Sequence, residues 1–135
     1  MESLTLGPGV LDEIVEHAKS SYPMESCGLL VGQGGYAARL LPMENCLASK
    51  SEYEMDPGQL IRALRALRES GEELAAIYHS HPSSPAEPSK RDIARALYPD
   101  SAYLIVSLAE PLQPQVRAFR IAGGQADEIE LHVIV

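Results

Sequence analysis

The stretch Leu74-Ala75-Ala76-Ile77-Tyr78-His79-Ser80-His81-Pro82-Ser83-Ser84-Pro85-Ala86-Glu87-Pro88-Ser89-Lys90-Arg91-Asp92 decides how the rest of the sequence is read. Its first five residues are apolar with no polar alternation, the pattern of a central strand buried on both faces. His79 and His81 lie two apart at the end of that run. On a strand both imidazoles leave the same face, roughly 6–7 Å apart at Cα, which lets two rings grip one metal ion. Pro82 stops the strand, and Pro85 and Pro88 stiffen the loop that follows, so less entropy is lost in holding one shape. The loop delivers Ser89 and Asp92 to the start of a helix. Asp92 would complete a three-ligand set of the kind a catalytic zinc uses, with water in the fourth place.

Working outward, Ala102 to Val106 is a second apolar run of the same type, and Lys90 to Leu97 between the two reads as a short helix stopped before Pro99. Strand, helix, strand implies a crossover connection and two neighbouring strands at the sheet centre. Val116 to Ile121 and Glu128 to Val135 pair through Gly123-Gly124, with Ile129, Leu131, Val133 and Val135 expected inward and His132 on the polar side. Upstream, Leu4 to Leu6 forms a short strand. Val10, Leu11, Ile14, Val15 and Ala18 make one helical stripe, leaving His17 expected in solvent, and Tyr22-Pro23 ends the helix. Pro23 to Gly32 is a polar entry into a strand that forms a hairpin with Tyr36 to Leu41 around Gln33-Gly34-Gly35, and Asn45 to Met55 is loop. Asp56-Pro57 opens a helix to about Ser70 with Gly71 as its stop. Its expected buried stripe is Leu60, Ile61, Leu64 and Leu67, with Arg62, Arg65 and Arg68 on a solvated face. The expected fold is a single α/β domain over residues 1–135, a mixed β-sheet sandwiched by helices.

Composition narrows the function classes. A chain of 135 residues buries a real core without disulfides or structural metal, so a metal is free for chemistry. The net charge of −8 and a pI near 4.9 argue against nucleic acid or an anionic membrane surface as partner. No apolar segment approaches the ~20 residues of a membrane span, and no signal-peptide pattern opens the chain, which points to the cytoplasm. Cys27 and Cys46 have no C-x-x-C spacing and are expected to be small buried residues.

Two questions stay open on spacing alone. Ser89-x-x-Asp92 ahead of a helix also fits a capping box, in which both side chains satisfy backbone N–H groups. The serine can serve both purposes, but a carboxylate oxygen spent on a metal is not spent on the helix end. Hydrolytic zinc chemistry further needs a general base. Glu25, Glu44, Glu52, Glu54 and Glu87 are candidates, and Glu25 has a slight advantage because a strand mouth can hold it rigidly.

These residues together resemble the JAMM metallopeptidases, also called MPN-plus or Mov34/PAD-1-like domains. The family pattern is an upstream glutamate, then H-[ST]-H-P, then S-x-x-D. His79-Ser80-His81-Pro82 with Ser89 and Asp92 match it without a gap, and Pro23-Met24-Glu25-Ser26-Cys27-Gly28-Leu29-Leu30 is similar to the family's P-x-E-x-C-G-x-L segment. The resemblance implies a JAMM/MPN, cytidine-deaminase-like architecture and one Zn²⁺ per chain held by His79, His81 and Asp92. It also implies Glu25 as general base, Ser89 as oxyanion donor, and Cys27 as no ligand. The implied activity is a zinc peptidase or isopeptidase that cuts the amide bond after the C-terminal Gly-Gly of a ubiquitin-like or sulfur-carrier protein. This chain lacks room for the insertions of members acting on polyubiquitin and is similar to the short prokaryotic type. A nucleoside deaminase would need H-x-E with P-C-x-x-C, and a zincin H-E-x-x-H; neither occurs. A non-catalytic MPN scaffold that binds protein partners is the rival of a different class, but such domains typically lack ligands that this chain keeps.

Overall fold

A computed structural model describes residues 2–135 as seven strands and three helices: β1 (Ser3–Leu6), α1 (Val10–Ser21), β2 (Cys27–Gln33), β3 (Tyr36–Met43), α2 (Pro57–Ser70), β4 (Glu73–His81), α3 (Lys90–Ala94), β5 (Ala102–Ser107), β6 (Gln115–Ala122) and β7 (Gln125–Val133). The strands lie in the order β1-β3-β2-β4-β5-β6-β7, and the ladder closes because β1 also runs parallel to β7. The two apolar runs are central neighbours, β4 and β5, parallel and joined through α3, as a crossover requires.

Because alternate residues of a strand face opposite ways, the sheet builds two cores. On one face Leu4, Leu30, Tyr78, Leu104 and Val106 pack against Val10, Ile14 and Ala18 of α1. On the other, Cys27, Leu29, Ile77, Tyr103 and Ile105 meet Leu60 and Leu64 of α2 and Ile93 of α3. This is the expected mixed sheet with helices on both faces. Removing an apolar side chain from either core has a cost of about 2–5 kcal/mol. Local chemistry fixes the helix ends: the Asp56 carboxylate accepts from the Gln59 N–H at 2.9 Å, and Gly71 adopts φ 78°, open to a residue without Cβ. Gly28 is needed for another reason. A Cβ there would lie 2.8 Å from the Leu41 carbonyl and 3.3 Å from the Tyr78 ring, so β2 could not sit between its neighbours.

Several local expectations are corrected. Ile61 is exposed and Ala63 takes its place in the α2 stripe, because the helix contacts the sheet along a narrower arc than four apolar residues suggest. Val133 and Val135 are exposed, since β7 outruns the cores at its end. The helix α3 stops at Ala94, short of Leu97. Cys46 is exposed while Cys27 is buried. His17 does not face solvent: it is half-buried and its Nδ1 lies 3.1 Å from the Tyr78 hydroxyl. No helix of the described residues is long and apolar enough to cross a membrane.

Candidate metal centre

Register brings the distant segments together. β2 and β4 are antiparallel with Cys27 opposite His79. Just beyond the ladder the Ser80 N–H donates to the Ser26 carbonyl at 3.0 Å, which brings Glu25, the next residue, to the end of β4 that carries His81. Period two then puts Glu25, His79 and His81 on the α2/α3 side of the sheet and Ser26, Tyr78 and Ser80 on the α1 side. The stiff loop brings α3 back over the same side, so Asp92 faces the two histidines.

His79 Nε2, His81 Nε2 and Asp92 Oδ2 form a triangle with every side 3.1 Å. Among the described residues they are the group of three whose ligand atoms converge in this way. Zinc bonds of ~2.0 Å at tetrahedral corners put ligand atoms roughly 3.3 Å apart, so the triangle fits one face of such a site to within a few tenths of an ångström. His81 Nδ1 donates to the Pro85 carbonyl at 2.8 Å, and a carbonyl only accepts, so in the neutral ring the Nε2 lone pair points into the triangle. The donor set and spacing are ones that could hold a metal ion.

Electrostatics separate the members. Burial pushes the His79 pKa down and keeps the ring neutral, the form that ligates. Burial works against charge at Asp92 too, but hydrogen bonds from His79, His81 and the Ser89 N–H hold its carboxyl well below the usual carboxylate range. His81 is raised: burial opposes its charge, yet the Asp92 hydrogen bond and the Pro85 carbonyl outweigh it. Glu25 goes the other way. Only 4 % exposed, with Oε1 lacking a hydrogen-bond partner, its carboxyl is pushed up from 4.5 to about 7, chiefly by burial, with the charges of His81 and Asp92 acting in opposite senses.

The capping box is present. Ser89 Oγ accepts from the Asp92 N–H at 3.0 Å, and Asp92 Oδ2 accepts from the Ser89 N–H at 2.9 Å. The same Oδ2 is the corner of the triangle. The oxygen that closes the capping box is thus the one that faces both histidines. Of the other carboxylates, Glu52 pairs with Arg91 and Arg95, and Glu87 with Arg117. Glu25 alone among the five candidates is buried.

Two residues escaped the sequence reading. The Tyr53 ring stacks on His79 with centroids 4.6 Å apart and planes 24° from parallel. Asn45 donates to the carbonyls of Glu25 and Glu52, and its Oδ1 accepts from the Leu47 and Glu54 N–H groups, which ties the 45–55 loop to the strand mouth. Neither carries a spacing signal, because both sit in an irregular loop whose partners are remote. Next to Asp92, this loop, α2 and α3 enclose a cleft of about 550 Å³ lined by Tyr53, Met55, Leu60, Tyr98 and Tyr103.

Comparison with known proteins supplies the family. The CysO-cysteine peptidase of Mycobacterium tuberculosis is 33 % identical over 133 residues, covering 97 % of this chain and 91 % of the relative. A Desulfitobacterium hafniense protein solved in solution superposes with a TM-score of 0.87 at 35 % identity, covering 97 % of this chain and 92 % of that one. A JAB1/MPN domain protein from Archaeoglobus fulgidus, 22 % identical, shares the fold with a TM-score of 0.67 over 98 % of this chain and all of that one. A family model described as prokaryotic homologs of the JAB domain matches residues 8–122, and with the full-length likeness to a peptidase this places the chain in the prokaryotic JAB-domain family.

Proposed function

We propose that residues 1–135 form one zinc peptidase domain that hydrolyses the amide bond after the C-terminal Gly-Gly of a ubiquitin-like or sulfur-carrier protein, in the cytoplasm. The observation that carries it is the 3.1 Å triangle beside a buried, partnerless carboxyl. In this reading His79, His81 and Asp92 hold one zinc ion per chain. Zinc bound there supplies Lewis acidity and lowers the pKa of its water toward ~7.

The chain's own groups do the rest. Glu25 takes a proton from the attacking water and returns it to the leaving amine nitrogen, and a carboxyl poised at about 7 can do both near neutral pH. Ser89 spends an oxygen lone pair on the Asp92 N–H, which leaves its hydroxyl hydrogen free to donate to the oxyanion. Support for the substrate class comes from the relative that acts as a CysO-cysteine peptidase. Support for how a tail is held comes from β3: β1 pairs only with its Tyr36 and Ala37, so the outer edge toward Met43 can accept an extended peptide by strand addition. Glycines at the cut let the backbone approach closely.

The test offers a sulfur-carrier protein extended by one or a few residues beyond Gly-Gly, a ubiquitin dimer and an unrelated unfolded protein, followed by product mass. Rapid trimming of the carrier to its Gly-Gly end is expected, with little attack on the unfolded protein. Equal cleavage of all three identifies a general peptidase instead.

Ser89→Ala separates two roles. Loss of a cap costs about 1 kcal/mol of stability, and loss of an oxyanion donor costs roughly 10²- to 10³-fold in kcat. Both are expected together in melts and kinetics; a destabilised but fully active variant leaves the cap alone.

A further inference from the structure

A buried chain of hydroxyls lies directly behind the metal centre, on the opposite side of the same strands. Ser80, between His79 and His81, is fully buried. Its Oγ accepts from the Ser26 N–H at 2.9 Å and from the Ser26 hydroxyl at 3.0 Å. Ser26 Oγ is also hydrogen-bonded to the Tyr78 hydroxyl, which in turn meets His17 Nδ1 from α1 at 3.1 Å. Four polar side chains, from β4, α1 and the residue before β2, thus form one connected set, three of them buried and His17 half-buried.

The set stands at a break in the regular ladder. Ser80 N–H donates to the Ser26 carbonyl in the ordinary way. The reciprocal bond, which an antiparallel pair would direct from the Ser26 N–H to the carbonyl of residue 80, goes to the Ser80 hydroxyl instead. The position of Ser26 therefore depends on a side-chain oxygen that only Ser or Thr can place on Cβ. Glu25 is the next residue along the chain, and the two histidines flank Ser80. All three groups are one peptide away from the clasp.

We propose that Ser80 and Ser26, backed by Tyr78 and His17, are positioning residues: they set the Glu25 carboxyl relative to His79 and His81 without touching substrate. This rests on the role given to Glu25 above. Glu25 Oε1 has no hydrogen bond of its own, so its placement comes from its backbone, whose N–H donates to the Ser49 carbonyl at 2.8 Å and whose carbonyl accepts from Asn45 at 3.0 Å. The clasp supplies the anchor on the β4 side, where the metal ligands are. A displacement of ~1 Å at a proton-transferring group costs up to ~10²-fold in rate, whereas ligands on β4 itself are unaffected by it.

The experiment compares Ser80→Ala, Ser80→Thr and Tyr78→Phe with wild type. It uses the metal-free protein for Ser26 amide hydrogen exchange, and the zinc-loaded protein for bound zinc, kcat and KM on an extended sulfur-carrier protein. In Ser80→Ala, Ser26 should exchange about tenfold faster or more, and kcat should fall at least tenfold with zinc content and KM held. Ser80→Thr should restore both, because it keeps the oxygen. Tyr78→Phe, nearly isosteric, should lower kcat about threefold or more with the fold intact, and it decides the matter if Ser80→Ala fails to fold. Wild-type kcat in Ser80→Ala or in Tyr78→Phe overturns the proposal, as does a Ser80→Ala defect that Ser80→Thr leaves in place. Inactive wild type refutes the peptidase reading by itself, and the Ser26 exchange rates then decide whether the clasp exists.

Discussion

Glu25→Gln keeps its metal and loses ~10²- to 10⁴-fold in kcat, the range over which a positioned base contributes. The isosteric amide leaves His79, His81 and Asp92 untouched, so zinc content stays at the wild-type value while proton transfer from water has no acceptor. Retention of more than about a tenth of wild-type kcat is incompatible with the role. The same variant has a second, opposite effect on the metal-free fold. The folded protein holds this carboxyl protonated up to about pH 7, whereas the unfolded chain ionises it near 4.5. Stability therefore falls as pH rises between those values, and above them the ionised, buried group costs the folded state on the order of 3 kcal/mol. Metal-free Glu25→Gln should melt higher than metal-free wild type at pH 8, and the gap should close as pH drops toward 4.5. A gap that is constant with pH would refer the difference to packing rather than charge.

His79→Ala and His81→Ala are expected to bring zinc from near one per chain to near zero and to abolish turnover. Each removes one corner of the 3.1 Å triangle and leaves the other two without a third donor. The fold should survive, because the hydrogen bonds of the strand ladder are made by the backbone and are unchanged by either side chain. The two variants differ in what they leave behind. His79 is fully buried under Tyr53, so its truncation opens a cavity beneath that ring. His81→Ala frees the Pro85 carbonyl and loosens the loop that carries Ser89 and Asp92. Metal analysis beside circular dichroism decides the matter: unchanged zinc in both folded variants would remove the site.

The sequence by itself determined most of the elements and which three side chains converge. The apolar runs at Leu74–Tyr78 and Ala102–Val106, the Asp56-Pro57 helix start and the Gly71 stop are local signals, because propensity, capping and period act over a few residues. His79, His81 and Asp92 were legible for the same reason: strand period and a stiff loop put them together within nineteen residues, Leu74 to Asp92. Glu25 was legible only as one carboxylate among five, slightly favoured by its place at a strand mouth and named as base through a resemblance. What singled it out in the structure is the antiparallel pairing of β2 with β4, which brings the residues before Cys27 to the histidine end of β4, where Glu25 is buried; pairing is a property of two strands that no single segment contains. His17, Tyr53 and Asn45 show the limit from the other side. A helical stripe places His17 in solvent, and only the approach of α1 to Tyr78 draws it inward. Tyr53 and Asn45 belong to a loop without period, so stacking on His79 and holding the Glu25 carbonyl are decided by tertiary contacts between segments far apart in the chain.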